Sequence, residues 1–279
     1  MPVLTVDYRS PQAPFLFCHS LKETGFAVLT HHPISTQLIE KAYQQWQEFF
    51  YSDTKHQYTY QRPSQDGYFP FRTEKAKNQK ISDLKEFFHF YPWGKIPPTL
   101  KQVSSTLYEH LYQLAAALLQ WVEDFLPKPV AAKLSMPLKS MIENSPNTLL
   151  RILHYPPLDQ NIDADAEAVR AAAHEDINLI TLLPAATTPG LEVLDTQGHW
   201  HAVTCDPGSI VVNIGDMLQM CTEYYYKSTS HRVVNPDDTK NVSRLSMPLF
   251  LHPSDNIPLS ARYTAQQYLH ERLRAIGIY

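Results

Sequence analysis

The chain has 279 residues, and its 24 Lys and Arg against 28 Asp and Glu give a formal net charge of −4. This mild acidity argues against a nucleic-acid or anionic-membrane binder that works through a basic surface. With 43% hydrophobic and 19% charged residues the chain is not disordered. Its eight glycines form no G-x-G arrangement and none precedes a Lys-Ser/Thr pair, which excludes the phosphate-binding loops of Rossmann, P-loop and kinase folds.

The cysteines and the N-terminal residues indicate the cellular compartment in which the protein is expected. Cys18, Cys205 and Cys221 are far apart and form no C-x-x-C pair, so neither a disulfide framework nor a cysteine zinc site is predicted. The N-terminal residues include Asp7 and prolines where a signal peptide needs a basic start and an apolar run. We expect a cytoplasmic, monomeric protein that acts on a small molecule and binds neither nucleic acid nor membrane.

The first half of the chain mixes helices and strands. The spacing of apolar residues predicts helices over residues 36–51, with Ser35 as N-cap, and over residues 100–125. The polar stretch 52–80 is predicted to be mostly loop. Runs rich in β-branched and aromatic residues predict strands at residues 3–7, 25–29 and 85–91.

The second half reads as a series of short strands separated by turn residues. The predicted strands cover residues 149–155, 179–183, 191–194, 200–203, 209–214, 231–234 and 244–251, and a last helix covers residues 264–276. Many short strands with frequent turns indicate a β-sandwich or jelly roll rather than a parallel α/β sheet. The predicted fold class is mainly β with flanking helices.

Two histidines and one aspartate are candidate metal ligands. Residues two apart on a strand face the same side, so His174 and Asp176 converge if the segment is a strand. With 13 histidines in the chain, this pair alone also fits a surface loop. His231 begins a later predicted strand, and two imidazoles with one carboxylate form the facial triad of non-haem Fe(II) oxygenases. Zinc accepts the same ligands, so the residue types do not name the metal.

Arg244 and Ser246 favour the oxygenase interpretation over a zinc hydrolase. They lie two residues apart on a predicted strand after His231. The guanidinium group offers a planar fork that matches a carboxylate, and the serine adds a hydroxyl donor on the same face. An oxygenase that holds a dicarboxylic co-substrate needs such an anchor.

These residues carry a family resemblance over nearly the whole chain. The segments RILHYPPLDQ, HEDINLITLL, PGLEVLDTQGHWHAV, PGSIVVNIGDMLQM, YYYKSTSHRVVNP and SRLSMPLFLHP resemble the isopenicillin N synthase-like family of Fe(II)/2-oxoglutarate-dependent oxygenases. Nearer the N-terminus, GFAVLTHHPIS, DGY and DLKEFF resemble the family's entry segment and later motifs. RYTAQQYLHERL is similar to the family's closing helix.

The resemblance implies a double-stranded β-helix, a jelly-roll core with helices packed outside. It implies an N-terminal α/β region at residues 1–100, a helical connection at 101–147, the jelly-roll core at 148–255 and a C-terminal helix at 256–279, together one compact unit. The implied cofactors are Fe(II), 2-oxoglutarate as co-substrate, O2 and ascorbate as reductant, and the implied reaction is oxidation, most often hydroxylation, of a small molecule.

The resemblance also assigns roles to single residues. His174, Asp176 and His231 match the iron ligands of the family. Arg244, Ser246 and Tyr155 match the residues that bind the distal carboxylate of 2-oxoglutarate. Phe69 and His89 correspond to positions that face the substrate pocket. For Phe69 core packing is the favoured interpretation, and for His89 both core packing and a pocket role stay open.

Two other functions remain open at this stage. Isopenicillin N synthase itself and the plant ethylene-forming oxidase of the family keep an R-x-S without taking 2-oxoglutarate, so Arg244 could anchor the substrate instead. A jelly-roll binding protein without catalysis is the second alternative. His199 and His201 also lie two apart, but they follow a predicted turn, and we assign them to an exposed hairpin.

Overall fold

The computed structural model describes residues 2–61, 64–74, 82–158, 169–204, 206–235 and 241–275. In these ranges the α-helices are α1 (Ala13–Thr24), α2 (Thr36–Tyr51), α3 (Pro98–Asp124), α4 (Lys128–Ala131), α5 (Leu138–Met141), α6 (Asp216–Cys221) and α7 (Ala265–Ala275). The strands are β1 (Thr5–Asp7), β2 (Phe26–Thr30), β3 (Gly67–Phe69), β4 (Glu86–Phe90), β5 (Leu149–Tyr155), β6 (Ala171–His174), β7 (Ile180–Pro184), β8 (Leu191–Leu194), β9 (Trp200–Ala202), β10 (Ile210–Ile214), β11 (His231–Val233), β12 (Arg244–Ser246) and β13 (Leu249–Leu251). No helix among the described residues is long and apolar enough to cross a membrane.

The larger sheet has nine strands in the order β1-β2-β10-β7-β13-β5-β4-β3, and β12 pairs with β5 as well. The single strand predicted over residues 244–251 is wrong, because the structure divides it into β12 and β13. Pro248 lies between them and has no N–H to donate to the ladder. Its carbonyl instead accepts a hydrogen bond from the backbone N–H of Arg151 at 2.9 Å.

The smaller sheet has four strands in the order β6-β11-β8-β9. Apolar side chains join the two sheets: Phe26 and Val28 of β2 pack in one cluster with Leu191 and Val193 of β8. The two sheets therefore bury their facing surfaces against each other. This is the jelly-roll, or double-stranded β-helix, architecture that the sequence predicts.

The helices cover the outer face of the larger sheet, and strand β5 shows how its two faces differ. Leu150 and Ile152 pack in the cluster that holds Trp46 of α2 and Leu107 of α3. The alternate residues, exemplified by Tyr155, point into the interior between the sheets, as period-two alternation requires. Burial of each Leu or Ile side chain contributes about 1.5–3 kcal/mol, so the outer face fixes the register that turns the polar residues inward.

Helix α1 is not predicted by the sequence pattern. Pro14 lies in its first turn, where the missing proline N–H would have no partner in any helix. The helix ends at Gly25, which has φ 75° and donates its N–H to the carbonyl of Leu21 at 2.8 Å. A proline near the N-terminus is therefore compatible with the start of this helix.

Candidate metal and co-substrate site

Three potential metal ligands meet at one end of the smaller sheet. His174 is the last residue of β6, His231 is the first of β11, and the two are cross-strand partners. Asp176 lies beyond the end of β6, so the condition that His174 and Asp176 share one strand is not met, although the two residues do converge. Beyond the strand, the backbone N–H of Asp216 donates to the Asp176 carbonyl at 2.7 Å. This hydrogen bond holds the backbone of Asp176 in its place beside the histidines.

The two imidazole rings are oriented by backbone carbonyls. Nδ1 of His174 lies 2.8 Å from the carbonyl oxygen of Ala172, and Nδ1 of His231 lies 3.1 Å from that of Thr229. A carbonyl can only accept, so each Nδ1 carries the hydrogen, and in the neutral ring each Nε2 has a lone pair for a metal ion. The two Nε2 atoms lie 3.8 and 3.7 Å from Oδ1 of Asp176.

Asp176 is buried and held in its charged form. Its Oδ2 accepts hydrogen bonds from the Thr181 hydroxyl at 2.6 Å and from the Asn213 amide at 2.8 Å. Burial opposes ionisation, but His231, His174 and these two hydrogen bonds outweigh it, so the pKa of Asp176 is lowered. Its Oδ1 is left to face the imidazoles. Sequence reasoning missed Thr181 and Asn213, although a polar residue inside the apolar run SIVVNIGD was a signal for Asn213.

This donor set fits a divalent metal ion. The ligand atoms of His174, Asp176 and His231 all lie within 4.8 Å of one another. Two neutral imidazoles and one carboxylate suit a non-haem Fe(II) centre that keeps coordination positions open for other ligands. Zinc accepts the same three donors.

Arg244 and Tyr155 lie together on the interior face of the larger sheet. Arg244 pairs with Tyr155 across β12 and β5, and Ser246 pairs with Leu153. The Arg244 guanidinium carbon lies 5.2 Å from the centre of the Tyr155 ring, and its Nε donates to the carbonyl of Thr188 at 3.0 Å. Its Nη1 is buried with no hydrogen-bond partner. A buried guanidinium N–H without a partner is a site for an acceptor from a ligand.

A second arginine, which sequence reasoning missed, lies at the same end of the interior. Arg170 is buried, donates from Nη2 to the Val242 carbonyl at 2.7 Å, and lies 6.0 Å from the Tyr155 ring. Burial and the charge of Arg244 lower its pKa to about 10. Neither arginine forms an ion pair within the described ranges. Two buried cations make this end of the interior suitable for an anion.

Phe69 and His89 also come together on the interior face. Their ring centres lie 4.5 Å apart, and Phe87 stacks on Phe69 at 4.5 Å. His89 is the cross-strand partner of Arg151, a residue that sequence reasoning did not single out as part of a site. Phe69, Phe87 and Tyr155 belong to one cluster with Ala171 and Val233, which lie on the strands that carry the histidine ligands.

His199 and His201 lie apart from this site, on the hairpin of β8 and β9. Their side chains are 69% and 53% exposed, and both contact the carboxylate of Asp195. The structure therefore agrees with the prediction of an exposed hairpin for this pair.

Comparisons with known proteins identify the family. Residues 146–253 match the model of the 2OG-Fe(II) oxygenase superfamily. Residues 16–106 match the model described as the N-terminal region of the non-haem dioxygenase in morphine synthesis. A 2-oxoglutarate-dependent dioxygenase of Didymella fabae is 28% identical over 256 residues, which cover 82% of this chain and 75% of the relative.

Solved structures agree with these matches. A structure assigned as an oxygenase from Shewanella oneidensis is 48% identical and covers all of both chains, with a TM-score of 0.90. A structure assigned to the 2OG-Fe(II) oxygenase family from Caulobacter crescentus is 32% identical, covers 99% of each chain and has a TM-score of 0.82. The resemblance found in the sequence is confirmed: the chain belongs to the 2OG-Fe(II) oxygenase superfamily.

Proposed function

We propose that the protein oxidises a small organic molecule, by hydroxylation, at an Fe(II) ion held by His174, Asp176 and His231. The observation that carries this proposal is that Nε2 of His174, Nε2 of His231 and Oδ1 of Asp176 all lie within 4.8 Å of one another. Every other hydrogen-bonding atom of these side chains has a partner that orients it. The three side chains are thus arranged for one ion before that ion binds.

The distal carboxylate of 2-oxoglutarate is bound, in this proposal, by Arg244, Ser246 and Tyr155. The buried Nη1 of Arg244 supports this assignment, because a buried donor without a partner costs about 1–3 kcal/mol that a carboxylate would recover. Ser246 lies two residues further on the same face of β12, and Tyr155 is the cross-strand partner of Arg244. Arg170 adds a second positive charge that favours the dianionic co-substrate.

Bound Fe(II), 2-oxoglutarate and O2 together supply the oxidising power, and succinate and carbon dioxide are the by-products. The residues of the chain bind and orient the reactants, and they exclude water from the site. Asp176 stays ionised at neutral pH because its pKa is lowered. Leu153, Ala171 and Val233 belong to the buried apolar cluster that also holds Tyr155.

The test is a measurement of succinate from the purified protein with Fe(II), ascorbate and 2-oxoglutarate. We expect slow succinate formation even without the primary substrate. His174→Ala is expected to abolish it, whereas His201→Ala, on the exposed hairpin, is expected to leave it unchanged. If the protein binds iron and consumes O2 with a substrate but forms no succinate, the oxidase alternative replaces the 2-oxoglutarate reaction.

A further inference from the structure

We infer that the primary substrate is an uncharged molecule that presents a hydrogen-bond donor beside a carbonyl-type acceptor, as an amide or lactam does, to His89 and Arg151. The inference rests on the proposed function, since it assigns the substrate of the same iron site. Four observations carry it: the position of the two residues, the tautomer of His89, the free donor of Arg151 and the charge balance around them.

The position of the pair joins it to the iron site. His89 and Arg151 are cross-strand partners on β4 and β5, on the face that also carries Phe87 and Tyr155. The Arg151 guanidinium carbon lies 4.0 Å from the centre of the Phe87 ring. A network of polar contacts connects the pair to the metal ligands.

Asp83 connects the two sites. Its Oδ1 accepts from the backbone N–H of Ala172 at 3.2 Å, and the carbonyl of Ala172 accepts from Nδ1 of His174. Its Oδ2 accepts from Lys85 at 2.6 Å, and Lys85 lies 2.8 Å from Glu74. Glu74 in turn accepts from Arg151 at 2.7 Å. The polar network around Arg151 therefore reaches the residues that hold the His174 ring.

His89 offers a hydrogen-bond acceptor. Its Nδ1 lies 2.9 Å from the carbonyl oxygen of Gln65, so Nδ1 must donate. Burial and the nearby charge of Arg151 lower the pKa of His89 to about 3, which keeps the ring neutral. In the neutral ring with hydrogen on Nδ1, Nε2 has a lone pair. Nε2 is buried without a partner, so a ligand N–H or O–H would satisfy it.

Arg151, the cross-strand partner of His89, offers a donor on the same face of the sheet. One of its terminal nitrogens, Nη2, is bound to Glu74, whereas its Nε–H is buried without a partner. A carbonyl oxygen next to the donor that His89 requires would accept from Nε–H. An amide or lactam edge carries both groups on adjacent atoms.

The charges around the pair exclude an ionic substrate group. Glu74 and Asp83 are balanced by Lys85 and Arg151 through the three ion pairs described above. A substrate carboxylate here would be repelled by Glu74 and Asp83, and the nearby Lys85 and Arg151 already pair with those two carboxylates. A substrate ammonium group would in turn be repelled by Lys85 and Arg151. This differs from Arg244 and Arg170, which have no acidic partner in the described part of the chain. Burying an unbalanced charge is far more costly than burying an amide.

The surface beside the two polar atoms is aromatic. Tyr60 stacks on Phe69 with ring centres 3.9 Å apart, and Phe69 stacks on Phe87. Such a surface favours a flat, unsaturated body that can pack against ring faces and edges. Benzamide and benzoate are therefore matched probes, because they share shape and size and differ in charge and in the N–H donor.

The experiment follows the charge-transfer band of the anaerobic protein loaded with Fe(II) and 2-oxoglutarate while each probe is added. We expect benzamide to perturb the band at a concentration about tenfold or more below that of benzoate. If benzoate perturbs the band at an equal or lower concentration, or if neither probe does, the inference is overturned. The band itself reports 2-oxoglutarate binding, so its absence would instead overturn the proposed function.

Three variants separate recognition of benzamide by His89 and Arg151 from a structural role of these residues. His89→Phe keeps a ring but removes the acceptor, and we expect it to weaken benzamide binding about tenfold. His89→Gln returns an amide oxygen near the position of Nε2 and is expected to recover part of the loss. Arg151→Met removes the Nε–H donor and is expected to weaken benzamide as well. An undiminished benzamide response in His89→Phe, with its 2-oxoglutarate titration intact, would also overturn the inference.

Discussion

At the scale of single residues, Asp176 shows how a buried carboxylate is prepared for a metal ion. One of its oxygens is held by Thr181 and Asn213, and the other faces two imidazoles. The hydrogen bonds fix the direction of the free oxygen, and together with the two histidines they keep the carboxylate ionised despite its burial. The metal affinity of the site therefore depends on residues that do not themselves bind the metal.

Thr181→Val tests this dependence, because it removes one hydroxyl donor and keeps the shape of the side chain. We expect metal affinity to fall about 10- to 100-fold, since Oδ2 of Asp176 loses one of its two anchors. Titration of the metal-free protein with Co(II) or anaerobic Fe(II) gives the affinity. Thr222→Val is the matched control, because its buried hydroxyl bonds only within α6 and the residues that follow it. An equal loss in both variants would mean that Thr181 acts through general stability.

The sequence identifies the ligands but not the residues that orient them. His174, Asp176, His231, Arg244 and Ser246 are recognisable because their types, order and short spacings match a known chemistry. Thr181, Asn213 and Arg151 are ordinary residues in strands. Asn213 and Arg151 contact residues far away in the chain, and Thr181 contacts Asp176 from the start of the next strand. Such contacts follow from sheet register, which a single sequence does not specify.

At the scale of elements, the junction of α1 with β2 supports the segment before β11. Gly25 has φ 75°, and a Cβ atom there would lie 2.2 Å from Oγ1 of Thr229. The carbonyl of Thr229 accepts from Nδ1 of His231. A change at this helix end therefore reaches an iron ligand through one residue.

Gly25→Ala is expected to destabilise the fold by about 1–2 kcal/mol from the left-handed backbone and by about 1–3 kcal/mol more from the contact with Thr229. Gly198→Ala is the control, because Gly198 has φ 87° but open space around its Cβ position. Urea unfolding of the two variants separates the backbone cost from the contact cost. Equal destabilisation would show that Thr229 moves aside freely, and metal affinity would then stay unchanged in Gly25→Ala.

Most elements follow from local patterns, and the exceptions have local causes. Helices α2 and α3 and the strands β4, β5, β8 and β10 agree closely with the predicted ranges, because apolar periodicity dominates there. The pattern missed α1, whose first turn contains a proline, and it did not divide β12 from β13 at Pro248. Both of these errors come from proline, whose effect depends on its exact position in an element. The pattern also missed the short strands β3 and β6, which have three and four residues and show too little alternation to be recognised.

At the scale of the whole molecule, buried neutral histidines make stability depend on pH. Burial lowers the pKa of His252 to about 4, although Asp176 opposes this, and burial with the charge of Arg151 lowers that of His89 to about 3. In the unfolded chain the pKa of a histidine is about 6.5. Between the folded and the unfolded pKa, the unfolded state binds more protons than the folded state. The free energy of unfolding therefore falls as pH falls from 6.5 towards 4.

We expect each of these histidines to contribute a slope of up to about 1.4 kcal/mol per pH unit in that range. Urea unfolding of the metal-free protein at several pH values between 7 and 5 measures the slope. His252→Gln cannot take up a proton and is expected to reduce the slope. A variant with the same pH dependence as the wild type would show that His252 does not stay neutral in the folded state.

In the proposed function, the distal carboxylate of 2-oxoglutarate binds at Arg244, which joins the larger sheet to the chemistry at the metal site. The most direct measurement is a 2-oxoglutarate titration of the anaerobic Fe(II) protein, followed by its charge-transfer band, for the wild type, Arg244→Ala, Arg244→Lys and Arg232→Ala. Arg232→Ala is the control, since Arg232 lies on β11 and pairs with Glu192 near the surface.

We expect Arg244→Ala to weaken 2-oxoglutarate binding about 30-fold or more, as the loss of a buried charge partner costs about 2–5 kcal/mol. Arg244→Lys is expected to recover only part of this loss, because an ammonium group lacks the planar fork. Iron content and the titration of Arg232→Ala are expected to match the wild type. A titration curve of Arg244→Ala that equals the wild-type curve would contradict the account and place the co-substrate carboxylate elsewhere.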